Sequence, residues 1–134
     1  MSVIIDTSVW SLALRRNNQN NQVFIVNCLK DLIYQEKVIM LGVILQEVLS
    51  GIRYQEQFNK LRDYLRAFPD FNICREDYEL AAEFFNICRS HGIQGSNNDF
   101  LICAVAYNYN YEIFTTDKDF QNFQLHIPIK LINV

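Results

Sequence analysis

The sequence predicts an α/β fold in which a mainly parallel, twisted sheet is flanked by helices on both faces. Short apolar runs rich in β-branched residues read as buried strands, and they alternate with segments whose apolar residues recur at helical spacing. Strands that alternate with helices are typical of a parallel sheet covered on both sides. In such sheets ligands bind outside the carboxyl ends of the strands, so residues that follow the strands are candidates for a functional site.

Each element follows from its local pattern, taken in chain order. Apolar runs predict buried strands at residues 2–5, 38–41 and 112–115, and weaker patterns predict edge strands at residues 71–73 and 127–132. A first helix is expected at residues 9–15, with Ser8 as its N-cap. Apolar residues at three- and four-residue spacing predict further helices at residues 23–34, 44–52, 58–65, 76–90 and 98–107.

Length and charge set limits on the function. The 134 residues correspond to about one domain, and we expect residues 1–134 to form a single unit. The net charge of -3, from 12 basic and 15 acidic side chains, gives no case for a broad basic surface that binds nucleic acid. A bound metal can still supply local positive charge. The sequence has neither a long apolar span nor a basic leader, so we expect a cytoplasmic protein with no membrane association.

Four carboxylates occupy positions that suggest a metal site. Asp6 and Asp117 directly follow predicted strands, whereas Glu47 and Asp99 fall on the apolar stripes of predicted helices. Turn formation after a strand and exposure at a helix end are the alternative explanations. Four carboxylates in one cleft would repel each other, and a divalent cation would remove that repulsion. Oxygen ligands suit Mg²⁺ or Mn²⁺, and the histidines and cysteines have no zinc-ligand spacing.

Four segments in order carry a resemblance to a known family. They are VIIDTSVW at residues 3–10, EVLSGIR at 47–53, NDFLICA at 98–104 and TTDKDF at 115–120. Together they resemble the motifs of PIN-domain ribonucleases, specifically VapC-type toxins of type II toxin–antitoxin systems, over nearly the whole chain. The resemblance implies a PIN-like three-layer sandwich. It also implies an endoribonuclease, dependent on Mg²⁺ or Mn²⁺, that hydrolyses RNA phosphodiester bonds and leaves a 5′-phosphate.

The resemblance places the family's acidic cluster on Asp6, Glu47, Asp99 and Asp117. Three of these, Asp6, Asp99 and Asp117, would hold the principal ion, while Glu47 would face a second ion or orient the attacking water. Asp119 either belongs to the metal site or caps the turn before Phe120. Whether one or two ions bind stays open. Side chains expected to hydrogen-bond the ligands are Thr7, Ser8 and Thr116.

Partners also follow from the resemblance. The RNA backbone would meet basic residues, for each of which a purely solvated role is the alternative: Arg15, Arg16, Arg53 and Lys118. Single-stranded or loop RNA is the expected substrate, because its bases can be splayed out and stacked. A cognate VapB-like antitoxin would lie in a groove near the first helices, formed from residues 9–15, 23–34 and 48–65. A homodimer is expected as well.

Two other classes of function remain possible at this point. A catalytically silent PIN module would act only by binding RNA or protein, and would be expected to lack one of the cluster acids. A receiver-like signalling domain also gathers acids and Mg²⁺ at strand ends. That class needs an acceptor Asp at the end of a central strand, whereas residues 38–41 are followed by Gly42.

Overall fold

The computed structural model describes residues 1–14 and 20–132. Within them lies a parallel sheet of three strands in the order β2-β1-β3, formed by β1 (Val3–Ile5), β2 (Val38–Ile39) and β3 (Glu112–Phe114). In the register, Val3 pairs with Val38 on one side and with Glu112 on the other. All three residues of β1 are buried, as expected for a central strand covered on both faces. The predicted α/β fold is confirmed.

Seven helices flank this sheet in the described part of the chain. They are α1 (Thr7–Leu14), α2 (Asn20–Tyr34), α3 (Gly42–Leu49), α4 (Gln55–Leu65), α5 (Arg75–Ser90), α6 (Asn97–Tyr109) and α7 (Asp119–Gln124). Residues 100–106 of α6 are all buried, which makes α6 the central helix of the core. None of the helices in residues 1–14 and 20–132 has the length and apolar character needed to cross a bilayer.

A buried carboxylate fixes α5 against α6. Asp77 is 0% exposed, and its Oδ1 accepts a hydrogen bond of 2.8 Å from Asn108 Nδ2. Its Oδ2 accepts the backbone N–H of Cys74 at 3.0 Å. Because a buried charge is costly unless it is hydrogen-bonded, these contacts hold the two helices in one relative position. They thereby fix the helix that carries Asp99.

The two predicted edge strands are wrong, because residues 71–73 do not pair with the sheet and residues 127–132 contribute a single bridge. Asp70 bridges Met40, while residues 71–73 leave the sheet and Phe71 packs edge-on against Tyr109 with 4.8 Å between ring centroids. Near the end of the chain, Leu131 alone bridges Ile113. Pro128 has no N–H to donate, and Ile129 bonds back to the carbonyl of Ile127 at 3.0 Å. The alternating pattern therefore packs apolar side chains inward without forming a ladder.

Several helix boundaries also differ from the prediction, two of them near the candidate site residues. The first helix begins at Thr7, so Ser8 lies inside it and is not its N-cap. The third ends at Leu49, before Ile52, because Ser50 turns back to the carbonyl of Gln46 and Gly51 adopts a φ of 85°. A helix that was not predicted, α7, follows the predicted turn before Phe120 and spans residues 119–124.

Candidate active site

Asp6 lies at the carboxyl end of β1 and is 6% exposed. Its Oδ2 accepts hydrogen bonds from Ser8 Oγ and from Thr115 Oγ1, both at 2.8 Å. Each hydroxyl also accepts a backbone N–H from the turn after β3: Ser8 Oγ from Thr116 at 3.1 Å, and Thr115 Oγ1 from Asp117 at 3.0 Å. This network attaches Asp6 to the turn that carries Asp117.

The hydroxyl that contacts Asp6 belongs to Thr115 and not to Thr116, to which the sequence analysis assigned it. Thr116 is exposed and contributes its backbone N–H to Ser8. The difference follows from strand geometry, in which successive side chains point to opposite faces. Thr115 therefore shares the face of Asp6, and Thr116 points away from it.

Asp117 and Asp119 lie at the start of α7 and have different roles there. Asp117 is half-buried, and its Oδ1 accepts the backbone N–H of Asp119 at 2.9 Å. Asp117 therefore performs the capping that the sequence analysis considered for Asp119. Asp119 is exposed, and within the described residues its carboxylate makes no hydrogen bond.

Asp99 is held in the first turn of α6 by a capping box. Its Oδ2 accepts the backbone N–H of Ser96 at 3.2 Å, and Ser96 Oγ accepts the backbone N–H of Asp99 at 3.1 Å. Burial raises the pKa of Asp99 above its usual value, and the charges of Asp6 and Asp117 raise this pKa further. Asp6 and Asp117, from distant parts of the chain, therefore lie near enough for their charges to act on Asp99.

Glu47 stands apart from these three and is exposed, although Ile44 and Val48 on the same helix are buried. The predicted position of Glu47 on the buried stripe of α3 is wrong, because the carboxylate turns outward. Both of its oxygens are held: Thr7 Oγ1 donates to Oε2 and Asn98 Nδ2 donates to Oε1, each at 2.9 Å. Glu47 thus connects α1, α3 and α6 beside Asp99.

The acids have donors suited to a hard cation but do not form a finished binding shell. Among residues 1–14 and 20–132, no three His, Cys, Asp or Glu side chains stand together as a group able to hold a metal ion. In the same part of the chain, one oxygen of each aspartate accepts no hydrogen bond: Asp6 Oδ1, Asp99 Oδ1 and Asp117 Oδ2. Oxygen donors of this kind fit Mg²⁺ or Mn²⁺.

The basic residues that were predicted to contact the RNA backbone lie in different parts of the chain. Lys118 is exposed between Asp117 and Asp119, and Arg53 is exposed in the segment between α3 and α4. Arg15 and Arg16 lie outside the described residues.

Two residues with site contacts were not singled out from the sequence. Thr115 lies in a quoted motif, and its position on the face of Asp6 was the available signal. Asn98 also lies in a quoted motif, but its contact with Glu47, 51 residues away in the chain, has no counterpart in the local pattern.

Comparison with protein families identifies the fold family. The PIN domain model matches residues 3–124, which is most of the chain. The chain belongs to the PIN-domain family. The receiver-like alternative is therefore wrong. A comparison with curated protein sequences finds no significant match.

Solved structures contain the same fold. VapBC2 from Rickettsia felis bound to a promoter DNA fragment is 20% identical with a TM-score of 0.78, covering 100% of this chain and 99% of that chain. FitAcB from Neisseria gonorrhoeae is 19% identical with a TM-score of 0.73, covering 98% and 96%. VapBC-5 from Mycobacterium tuberculosis is 18% identical with a TM-score of 0.69, covering 100% of both chains. At these identities the similarity concerns the PIN fold.

Proposed function

We propose that this PIN domain is a VapC-type toxin, an endoribonuclease that depends on Mg²⁺ or Mn²⁺ and hydrolyses RNA phosphodiester bonds. PIN domains of VapC toxins are generally nucleases. The observation that carries the proposal is the hydrogen-bond network that attaches Asp6, at the carboxyl end of β1, to the turn that carries Asp117. Like charges held together at the carboxyl edge of a parallel sheet are typical of a site that binds a cation.

The hydrogen bonds of each site residue indicate its role in this proposal. Asp6, Asp99 and Asp117 would hold the ion through the oxygens that accept no hydrogen bond from described residues. When bound, the ion polarises a phosphoryl oxygen and lowers the pKa of a water molecule. Ser8 and Thr115 fix the orientation of Asp6.

Glu47 has a separate task in this proposal. Thr7 and Asn98 each donate to one of its oxygens, and because Glu47 is exposed, its remaining lone pairs can be reached from solvent. Glu47 would accept a hydrogen bond from the attacking water, or face a second ion. Lys118, next to Asp117, would contact the RNA phosphate, whereas Asp119 would act through its backbone N–H at the start of α7.

Metal-dependent cleavage is the first expected result. The purified chain should cut a single-stranded RNA pool of randomised sequence in Mg²⁺ or Mn²⁺ and leave 5′-phosphates, and EDTA should abolish this cleavage. Sequencing of the fragment ends measures both the extent of cleavage and the 5′-phosphates. Folded Asp6→Asn, with circular dichroism as the check, should be inactive. Cleavage that persists in EDTA contradicts the metal role, and RNA binding without cleavage in either metal favours the silent PIN module.

We also propose that an antitoxin occupies a groove of about 620 Å³ between α1, α2 and α4. The solved structures with the same fold include toxin–antitoxin complexes. The groove is mostly apolar, with Lys30 and Lys60 among its lining residues. Trp10 also lines it and is 2% exposed, and its Nε1 has no hydrogen-bond partner among the described residues. The indole ring therefore forms part of the groove wall, against which an apolar antitoxin segment would pack.

Trp10→Phe should weaken antitoxin binding by about tenfold, because the smaller ring reduces the apolar surface that the groove offers to the antitoxin. The measurement is calorimetric titration with the product of the neighbouring reading frame. Phe24→Ala is the matched control, because Phe24 is 59% exposed on α2 and does not line the groove. If Trp10→Phe and the unmodified chain bind the antitoxin with equal affinity, the indole is not part of the interface.

A further inference from the structure

A small cavity lies beside the Glu47–Asn98 contact. We propose that it binds one nucleobase of the RNA strand that is cut, an inference that rests on the proposed ribonuclease function. Its volume is about 350 Å³, near the lower end of the range of about 300–1,000 Å³ for small-ligand pockets. It is lined by residues of α3, α5 and α6, namely Val43, Tyr78, Ala81, Ala82, Asn97, Asn98 and Leu101.

The lining matches a neutral, planar and partly polar group. It contains one aromatic ring, two side-chain amides and four aliphatic residues, and within the described residues no charged side chain takes part in it. Tyr78 is 54% exposed, so its ring can be reached from solvent. Single-stranded RNA is recognised by stacking of unpaired bases on aromatic rings and by hydrogen bonds to the base edges. A phosphate or a charged protein side chain would find no counter-ion in this cavity.

The position of the cavity connects it to the acidic site. Asn98 lines the cavity and also donates the 2.9 Å hydrogen bond to Glu47 Oε1. Asn97 and Asn98 begin α6, and Asp99 is the next residue in the same turn. The cavity therefore adjoins the acidic site through Asn98, and a base next to a phosphate held at the carboxylates would enter it and stack on Tyr78. The cavity would select which nucleotide stands beside the cleaved bond.

The test replaces Tyr78 without touching the acidic site. On the randomised RNA pool in Mn²⁺, Tyr78→Ala should flatten the base preference next to the cut and raise KM by about tenfold, the effect of losing one stacked base. Tyr78→Phe keeps the aromatic ring and should retain the base preference and the KM of the unmodified chain. Ala82→Leu, at an exposed lining position, should narrow the cavity and shift the preference towards smaller bases. Fluorescence anisotropy of a labelled RNA in EDTA should show the same order of affinities.

Two controls separate the possible causes. Tyr34→Ala removes a tyrosine that is 89% exposed on α2 and should leave cleavage unchanged. Hydrolysis of bis(p-nitrophenyl) phosphate, which has no base, should be the same for Tyr78→Ala as for the unmodified chain. An unaltered base preference in active Tyr78→Ala overturns the base site. The base site is also overturned if Tyr78→Ala changes the mass measured by light scattering and loses activity equally on RNA and on bis(p-nitrophenyl) phosphate. A second copy of the chain would then cover the cavity. An unmodified chain that cleaves neither substrate overturns the ribonuclease proposal itself.

Discussion

Asp99→Asn is expected to reduce metal-dependent RNA cleavage by at least about a hundredfold, because the loss of a ligand should exceed the 10–100-fold loss caused by removing an outer-shell partner. The amide keeps an oxygen that can accept the N–H of Ser96, so the capping box at the start of α6 should survive. It lacks the negative charge that attracts the cation. Cleavage rates in Mn²⁺, measured beside circular dichroism spectra, give the result.

The same substitution should make the metal-free protein more stable at neutral pH. The pKa of Asp99 is raised in the folded state, mainly by burial and also by Asp6 and Asp117. Between the ordinary pKa of 3.8 and the folded value, the folded state binds more protons than the unfolded state. Stability therefore falls as pH rises through this window, and the cost remains at pH 7. The substituted amide cannot ionise, so the melting temperature of Asp99→Asn should exceed that of the unmodified chain at pH 7 and converge with it below pH 3.8.

Addition of Mn²⁺ should reverse the order of the melting temperatures at pH 7, so that the unmodified chain becomes more stable than Asp99→Asn. A ligand at a hundred times its Kd stabilises the folded state by about 2.7 kcal/mol, and only the chain that retains Asp99 should gain this. Asp31→Asn, at an exposed position on α2, serves as the matched control and should resemble the unmodified chain in every measurement. Full activity of folded Asp99→Asn, or an identical Mn²⁺ response, would remove Asp99 from the metal site.

The backbone positions of the acids were predictable, whereas their side-chain partners were not. A run of buried residues that ends at Asp6, and another just before Thr115, places both at the carboxyl edge of a parallel sheet. Helical periodicity also placed Glu47 on α3, but it could not decide whether the carboxylate points inward. That choice depends on Thr7 and Asn98, which lie 40 and 51 residues away and approach Glu47 only in the folded chain.

Weak periodic signals gave the largest errors in the fold. Residues 127–132 alternate as an edge strand would, but Pro128 interrupts the ladder and only Leu131 forms a bridge among the described residues of this segment. Residues 119–124 are too few for a clear helical period, and α7 depends on burial of Phe120 and Phe123 against the core. Tertiary packing, which the local pattern does not contain, decided both segments.

Gly95→Ala should lower stability and activity together, because Gly95 precedes the capping box that holds Asp99. A Cβ at Gly95 would lie 2.5 Å from Phe123 Cζ and 2.9 Å from Phe100 Cε2. Both rings are buried, at 0% and 1% exposed, so neither can swing into solvent. Overpacking of this kind costs about 1–3 kcal/mol, which corresponds to a fall in melting temperature of about 3–10 °C for a chain of this size. Thermal unfolding and cleavage assays measure the two effects.

The physical cause can be isolated with two further variants. Gly42→Ala is the matched control, because a Cβ there meets nothing within 4 Å, and it should leave stability unchanged or slightly raised. Phe123→Leu removes part of the ring that the new methyl group meets, so Gly95→Ala should cost less in that background than alone. If the two changes are additive, the clash with Phe123 is not the cause. Coupling, together with recovery of activity in the double variant, would establish that close packing between α6 and α7 sets the position of Asp99.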